Sequence, residues 1–202
     1  MNPPPLIFDF GGVLVDWNPR HLYRKLFDGD TAAMEQFLAE VHFTEWNIAQ
    51  DRGRNFAEGV EALCAQFPQH ASLIRAYDER WEESIPGPLQ PTIDLLQPLR
   101  QKGCPLYGLT NSSAEKFAIA RKKYPFLGWF DYIMVSGEVK IVKPDPRIYL
   151  ALLEKIGRPP AECVFIDDST VNTLAASQLG FQTIHFQSPA QLKAELIRLE
   201  IL

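Results

Sequence analysis

The chain has 202 residues, 46% of them hydrophobic, which suits one compact core or a core carrying a modest insertion. A formal net charge of −5 with no basic block argues against nucleic-acid backbones as partners, and no apolar run approaches the roughly 18 residues of a membrane span. Met1-Asn2-Pro3-Pro4-Pro5 lacks the basic start and long apolar stretch of a secretion signal. Cys64, Cys104 and Cys163 are odd in number and show no CxxC spacing, so neither a disulfide framework nor a zinc site is expected. The expectation is a reduced, cytoplasmic protein.

The first predicted strand is Leu6–Phe10, a short apolar run that stops at Gly11-Gly12. From Pro19 to Glu83 the periodicity turns helical. Met34, Phe37, Leu38 and Val41 recur at helical steps, as do Phe56, Val60, Leu63 and Phe67, and then Ile74, Tyr77 and Trp81. This stretch predicts about four helices and no strand, and Ile85-Pro86-Gly87-Pro88 ends it. Beyond that break, helix and strand alternate. Helices are predicted at Pro91–Lys102, Ser113–Lys123, Pro146–Ile156 and Ser169–Leu179, with strands at Cys104–Leu109, Tyr132–Val135, Cys163–Ile166 and Phe181–Phe186. Ser188-Pro189-Ala190-Gln191 has the spacing of a capped helix start with proline at the first helical position. Such alternation predicts an α/β fold, a Rossmann-like parallel sheet, with the all-α stretch inserted as a cap. The core is assigned to residues 1–15 and 89–202 and the cap to 16–88, with hinges near Val15–Pro19 and Ser84–Gln90.

Open parallel sheets bind ligands at the carboxyl ends of their strands. The residues that follow each predicted strand are Asp9 with Gly11-Gly12, then Thr110-Asn111-Ser112-Ser113, then Lys143-Pro144, then Asp167-Asp168-Ser169. One sheet edge thus collects carboxylates, hydroxyls and an ammonium. Asp9, Asp167 and Asp168 together would repel a phosphate dianion and resist full ionisation. A magnesium ion, which takes oxygen ligands and commonly one or two carboxylates with a phosphate oxygen, resolves both problems. Lys143 adds a point charge, and Thr110 with the next backbone N–H adds neutral donors. That inventory suits phosphoryl transfer, where catalysis is mostly positioning and charge stabilisation.

Four segments in order resemble the motifs of the haloacid dehalogenase superfamily: Phe8-Asp9-Phe10-Gly11-Gly12-Val13-Leu14, Leu109-Thr110-Asn111, Lys143-Pro144 and Phe165-Ile166-Asp167-Asp168. The inserted stretch lies where that family carries its type 1 helical cap. The resemblance implies that Asp9 attacks phosphorus and becomes a transient aspartyl phosphate. It implies magnesium held by Asp9, the Gly11 carbonyl and Asp168, with Asp167 in support. Thr110 and Asn111 would bind phosphoryl oxygens, and Lys143 would neutralise the nucleophile and phosphate. The implied partner is a small phosphorylated metabolite.

One position departs from the pattern. Phosphatases of this family usually carry a second aspartate two residues after the nucleophile, as acid and base; here it is Gly11. Such assistance is worth roughly 10²–10⁴ in rate. The expectation is therefore a phosphatase for weakly basic leaving groups, resembling the sugar-1-phosphate branch. The alternatives are a non-catalytic phosphate-site binding protein and a metal-independent haloacid dehalogenase. His21, near the hinge, is a possible substitute acid. Asp16 either lines the mouth of the site or caps a helix. Trp46, Arg52 and Arg54 are candidates for substrate contact or ordinary cap residues. Asn172 either orients the metal site or is a solvated helix residue, and Cys104 and Cys163 read as small buried hydrophobes.

Overall fold

The structure, a computed structural model, describes residues 3–202. Five parallel strands form one sheet in the order β3-β2-β1-β4-β5. They are β1 Leu6–Phe8, β2 Leu106–Thr110, β3 Tyr132–Val135, β4 Val164–Asp167 and β5 Gln182–His185. β1 is central, with Phe8 in register with Gly108 on one side and Ile166 on the other. The order reverses there, and such a switch point opens a crevice at the strand ends. Strands buried on both faces need continuous apolar runs, and Leu6, Ile7, Val164, Phe165 and Ile166 are all fully buried.

β1 is shorter than its apolar run because the chain turns sharply after Asp9. Asp9 N–H still donates to the Ile166 carbonyl at 2.9 Å, while the Phe10 carbonyl accepts from the N–H groups of Leu14 and Val15. Gly12 makes the turn at φ +76°, where a side chain would be strained.

Between β1 and the rest of the sheet lie α1 Pro19–Leu26, α2 Thr31–Glu40, α3 Phe43–Asp51, α4 Phe56–Gln66 and α5 Ala71–Glu79. About four helices were expected here and five form, with His42, at φ 48°, separating α2 from α3. α1 starts at the Asn18 cap, whose side chain accepts from Arg20 N–H. Aromatic rings fill the space between these helices. Tyr23 lies 5.0 Å from Phe37, 5.9 Å from Phe43 and 6.1 Å from Tyr77 between ring centres.

The remaining helices are α6 Gln90–Gln101, α7 Ala114–Lys123, the short α8 Ser136–Val139, α9 Pro146–Ile156, α10 Thr170–Gln178 and α11 Pro189–Arg198. The Ser188 hydroxyl caps α11 by accepting from Gln191 N–H at 3.1 Å. No helix among the described residues is long and apolar enough to cross a membrane.

The two connectors to α1–α5 run side by side. Val15 bridges Pro88, Asp16 N–H donates to the Gly87 carbonyl, and Leu89 N–H donates to the Leu14 carbonyl. Further out, α7 grips the inserted helices. Lys116 pairs with Asp78 and lies 4.4 Å from the centre of the Phe56 ring. Glu115 accepts from Asn55 Nδ2 and Phe56 N–H, both at 3.1 Å, and Lys123 pairs with Glu82 at 2.9 Å.

Tyr23 is fully buried and meets three aromatic rings, so its loss opens a cavity that the helices cannot collapse. Tyr23→Ala is expected to cost about 3–5 kcal/mol of stability, read as a lowered urea midpoint at unchanged slope. Tyr23→Phe, which loses only the hydroxyl bond to the Leu73 carbonyl, should cost about 1 kcal/mol.

Candidate active site

Lys143 is the hub of the site. Its ammonium is buried and sits 2.8 Å from Asp9 Oδ1 and 2.7 Å from Asp167 Oδ2. Burial alone would pull its pKa down; the carboxylates of Asp9 and Asp167 outweigh this and hold it above the usual lysine range. Asp167 is saturated with donors: Ser169 N–H at 2.8 Å and Asn172 Nδ2 at 3.0 and 3.1 Å join Lys143. Asn172 therefore fixes Asp167 rather than standing in solvent. Asp9 Oδ1 also accepts from Phe10 N–H at 2.7 Å, which leaves Oδ2 with no donor among the described residues.

Asp9, Asp167 and Asp168 each place an oxygen within 4.8 Å of the others. Burial pushes the Asp9 carboxyl up to about 7, against the pull of Lys143 and reinforced by Asp167 and Asp168. Burial, then Asp167, raises Asp168 as well. Three carboxylates facing one ammonium leave the site with uncompensated negative charge. The all-oxygen donor set fits a hard divalent cation.

Gly12 is required by its surroundings. A Cβ there would fall 2.2 Å from Asp168 Oδ2, at a backbone angle few side chains adopt. Gly11 differs: a Cβ would meet only Trp17, at 3.6 and 3.8 Å, which is ordinary contact. Neither angle nor crowding at its Cβ imposes glycine at position 11.

Thr110 is buried at the end of β2. Asn111 spends its side chain on the main chain of the neighbouring loop. Its Nδ2 donates to the Lys143 carbonyl at 3.0 Å and its Oδ1 accepts from Lys143 N–H at 2.8 Å. The expected phosphate contact by Asn111 is thereby confined to its backbone, because the carboxamide is committed to holding Lys143 in place.

Asp9, Gly11, Thr110, Asn111, Lys143 and Asp168 line one cavity of about 710 Å3 between the sheet edge and the inserted helices. Its far wall is largely apolar, with Phe43, Ile48, Phe56, Tyr77 and Trp81. Arg20 and Glu35 also line it, joined by two hydrogen bonds.

Several candidates lie elsewhere. Trp46 is buried and donates to the Gly59 carbonyl at 2.8 Å, Arg54 turns to Gln50 and the Trp46 carbonyl, and Arg52 is exposed. His21 pairs with an exposed Asp16 at 3.0 Å, and neither lines the cavity; Asn18, not Asp16, caps the helix. Sequence reasoning missed Thr44, Asn47, Ile48 and Asp51, which all face the cavity from α3. Their spacing of three, four and seven residues marks one helical face, opposite the buried Trp46 and Gln50.

The sequence profile of the haloacid dehalogenase-like hydrolases matches residues 6–180. The chain is 28% identical over 194 residues to sesquiterpene phosphatase astK of Aspergillus oryzae, covering 96% of this chain and 94% of that protein. It is also 28% identical to mouse acyl-CoA dehydrogenase family member 10, but spans only 18% of that protein's length while 95% of this chain is covered. A structure of the HAD family enzyme bt-2542 of Bacteroides thetaiotaomicron, in complex with magnesium and inorganic phosphate, superposes with a TM-score of 0.72. That pair is 27% identical, with 92% of this chain and 95% of the other covered. With a profile spanning most of its length and its four motifs gathered at one sheet edge, the chain belongs to the haloacid dehalogenase-like hydrolase family.

Proposed function

We propose that this hydrolase is a magnesium-dependent phosphatase that cleaves a small phosphomonoester through an aspartyl phosphate on Asp9. The observation that carries the reading is the charge imbalance: three carboxylates within 4.8 Å, only one ammonium, and neutral donors on the adjoining loop. Asp9, Asp168 and the Gly11 carbonyl would hold the ion, with Asp167 behind them orienting Lys143. The ion, when bound, would supply positive charge that keeps Asp9 ionised and allows a phosphate beside it. The magnesium and phosphate named with the Bacteroides structure, and the phosphatase named among the relatives, support this assignment.

Asp9 Oδ2 is the atom left to attack phosphorus. Lys143, fixed by Asp167 and by the Asn111 clamp, screens the approach of the phosphoryl oxygens, which Thr110 and the Asn111 N–H would receive. Bond formation to Asp9 breaks the ester bond, and water then attacks the same phosphorus to restore the carboxylate. Position 11 supplies no acid, so an anomeric sugar phosphate, with its weakly basic leaving oxygen, suits the site; its C–H face could lie against the aromatic wall. A dehalogenase would leave Asp168 without a task, and a purely binding role would not need Asp9 and Lys143 arranged for attack. Residues 16–88 would act as a cap that opens for exchange and closes to exclude water, supported by the adjacent connectors and the α7 latch.

The deciding experiment is phosphate release from aryl phosphates and from sugar 1- and 6-phosphates, with magnesium and then with chelator. Turnover should require magnesium and favour the 1-phosphates; metal-indifferent turnover would refute the assignment. Asp9→Asn should abolish turnover while leaving the melting curve cooperative, and full activity in that variant would remove the covalent step. Gly12→Ala should displace Asp168 and weaken magnesium binding by roughly tenfold or more, read by calorimetry on a protein that still folds.

A further inference from the structure

We propose that Asp51, the last residue of α3, is the acid–base residue of this centre, donating a proton to the leaving oxygen and later accepting one from the attacking water. The proposal rests on the phosphatase reading and addresses what Gly11 lacks. Asp51 lines the same cavity as Asp9, Thr110 and Lys143, but from the opposite wall. Its carboxylate accepts from Asn47 Nδ2 at 3.1 Å and lies beside the Ser113 main-chain N–H, on the loop that follows β2. It thus reaches the cavity from the wall opposite the sheet edge, next to the loop that carries Thr110 and Asn111.

The charged neighbours single it out. Arg20 and Glu35 neutralise each other. Lys116 of α7 is spent on Asp78 of α5, and Glu115 of α7 on Asn55 and Phe56. Arg54, before α4, is turned to Gln50 and the Trp46 carbonyl, while Glu138 of α8 and Lys140 after it are exposed. Burial holds the Tyr77 phenol of α5 far above the physiological range. Asp51 is left without a cationic partner among the described residues, and burial pushes its carboxyl up to about 7. A carboxyl poised there is present in both forms at neutral pH, as a group that must give and then take a proton requires.

The steps balance. Asp9 Oδ2 bonds to phosphorus, the phosphorus–oxygen ester bond breaks, and the Asp51 proton passes to the departing alkoxide, releasing the alcohol. Water then adds to phosphorus, its proton returns to Asp51, and the bond to Asp9 breaks to release phosphate. With this acid in place, alkyl phosphates are still cleaved more slowly than the weakly basic anomeric and aryl esters, but by a smaller margin than Gly11 alone would impose.

The test compares wild type and Asp51→Asn, with magnesium, by kcat/KM over a series running from nitrophenyl to alkyl phosphates. The variant should stay within about tenfold on nitrophenyl phosphate and fall by roughly 10²–10⁴ on alkyl phosphates. The limb of the wild-type pH profile near 7 should disappear with it. Equal losses on every substrate with the limb retained would overturn the role, since a structural residue harms all substrates alike. Stability gives a second readout. A carboxyl raised in the folded state contributes its stability at low pH and loses it as pH rises from about 4 through about 7. Asp51→Asn should therefore melt increasingly above wild type between about pH 5 and about pH 8, and a constant difference would count against the proposal. If wild type releases no phosphate from nitrophenyl phosphate with magnesium, the phosphatase reading itself fails. Activity with an indifferent Asp51→Asn fails only the inference.

Discussion

A single buried ammonium ties the four strand ends together. A cation with no exposed surface persists only where paired charge and hydrogen bonds replace its lost hydration. Lys143 has that support from Asp9 after β1 and Asp167 at the end of β4. Its own loop is clamped by Asn111 after β2, and Asp167 is held from the start of α10 by Ser169 and Asn172. Removing either carboxylate would leave a buried charge short of a partner. The same pairing leaves Asp168 facing the cavity without a cation of its own, so the centre is neutralised on one side and open to a positive ion on the other.

The inserted helices solve a different problem. They must present a surface to a ligand while packing chiefly on one another. Their aromatic cluster makes them largely self-supporting: Tyr77 lies 4.8 Å from Phe43 and Trp46 lies 5.6 Å from Phe56, ring centre to ring centre. Some of these rings face inward to hold the helices together and others form the cavity wall. Rigidity and recognition thus share one set of side chains, and Asp51 is held between its own helix, through Asn47, and the loop that follows β2, through Ser113.

Much of the core was readable because its signals are local. Apolar runs that end in a polar residue marked each strand, and four such endings predicted one edge; the sheet order brings all of them there. Helix starts were legible where capping chemistry is written in the sequence, as at Ser188, whereas at α1 the sequence offers Asp16 as a cap and Asn18 fills that place. The inserted region was harder. The apolar repeats marked Met34–Val41, Phe56–Phe67 and Ile74–Trp81 but none covered α3, which starts after His42 without a glycine or proline to announce it. Asp51 was passed over because charge drew attention to the neighbouring Arg52 and Arg54. The mixed polar and apolar face of Thr44, Asn47, Ile48 and Asp51 has the right spacing, but spacing does not say which face meets a cavity. Nor does sequence tell a side chain that meets a ligand from one that, like Asn111, holds a neighbouring loop.

The paired connectors have an effect on how such a chain can change. Because the path out at Val15 and the path back at Pro88 are bonded to each other, the sheet sees the whole insertion as a closed loop anchored at one spot. Closing a longer or shorter loop between fixed ends alters the entropy only slowly with length. Helices in the insertion can be lengthened, shortened or replaced with little consequence for strand register or for the placement of Asp9, which lies on the sheet side of that junction. The nucleophile and the phosphate-side residues are therefore carried by a part of the chain that tolerates change in much of the insertion, while α3, which packs on α8 and meets the loop after β2, is the part of the insertion with least freedom to drift.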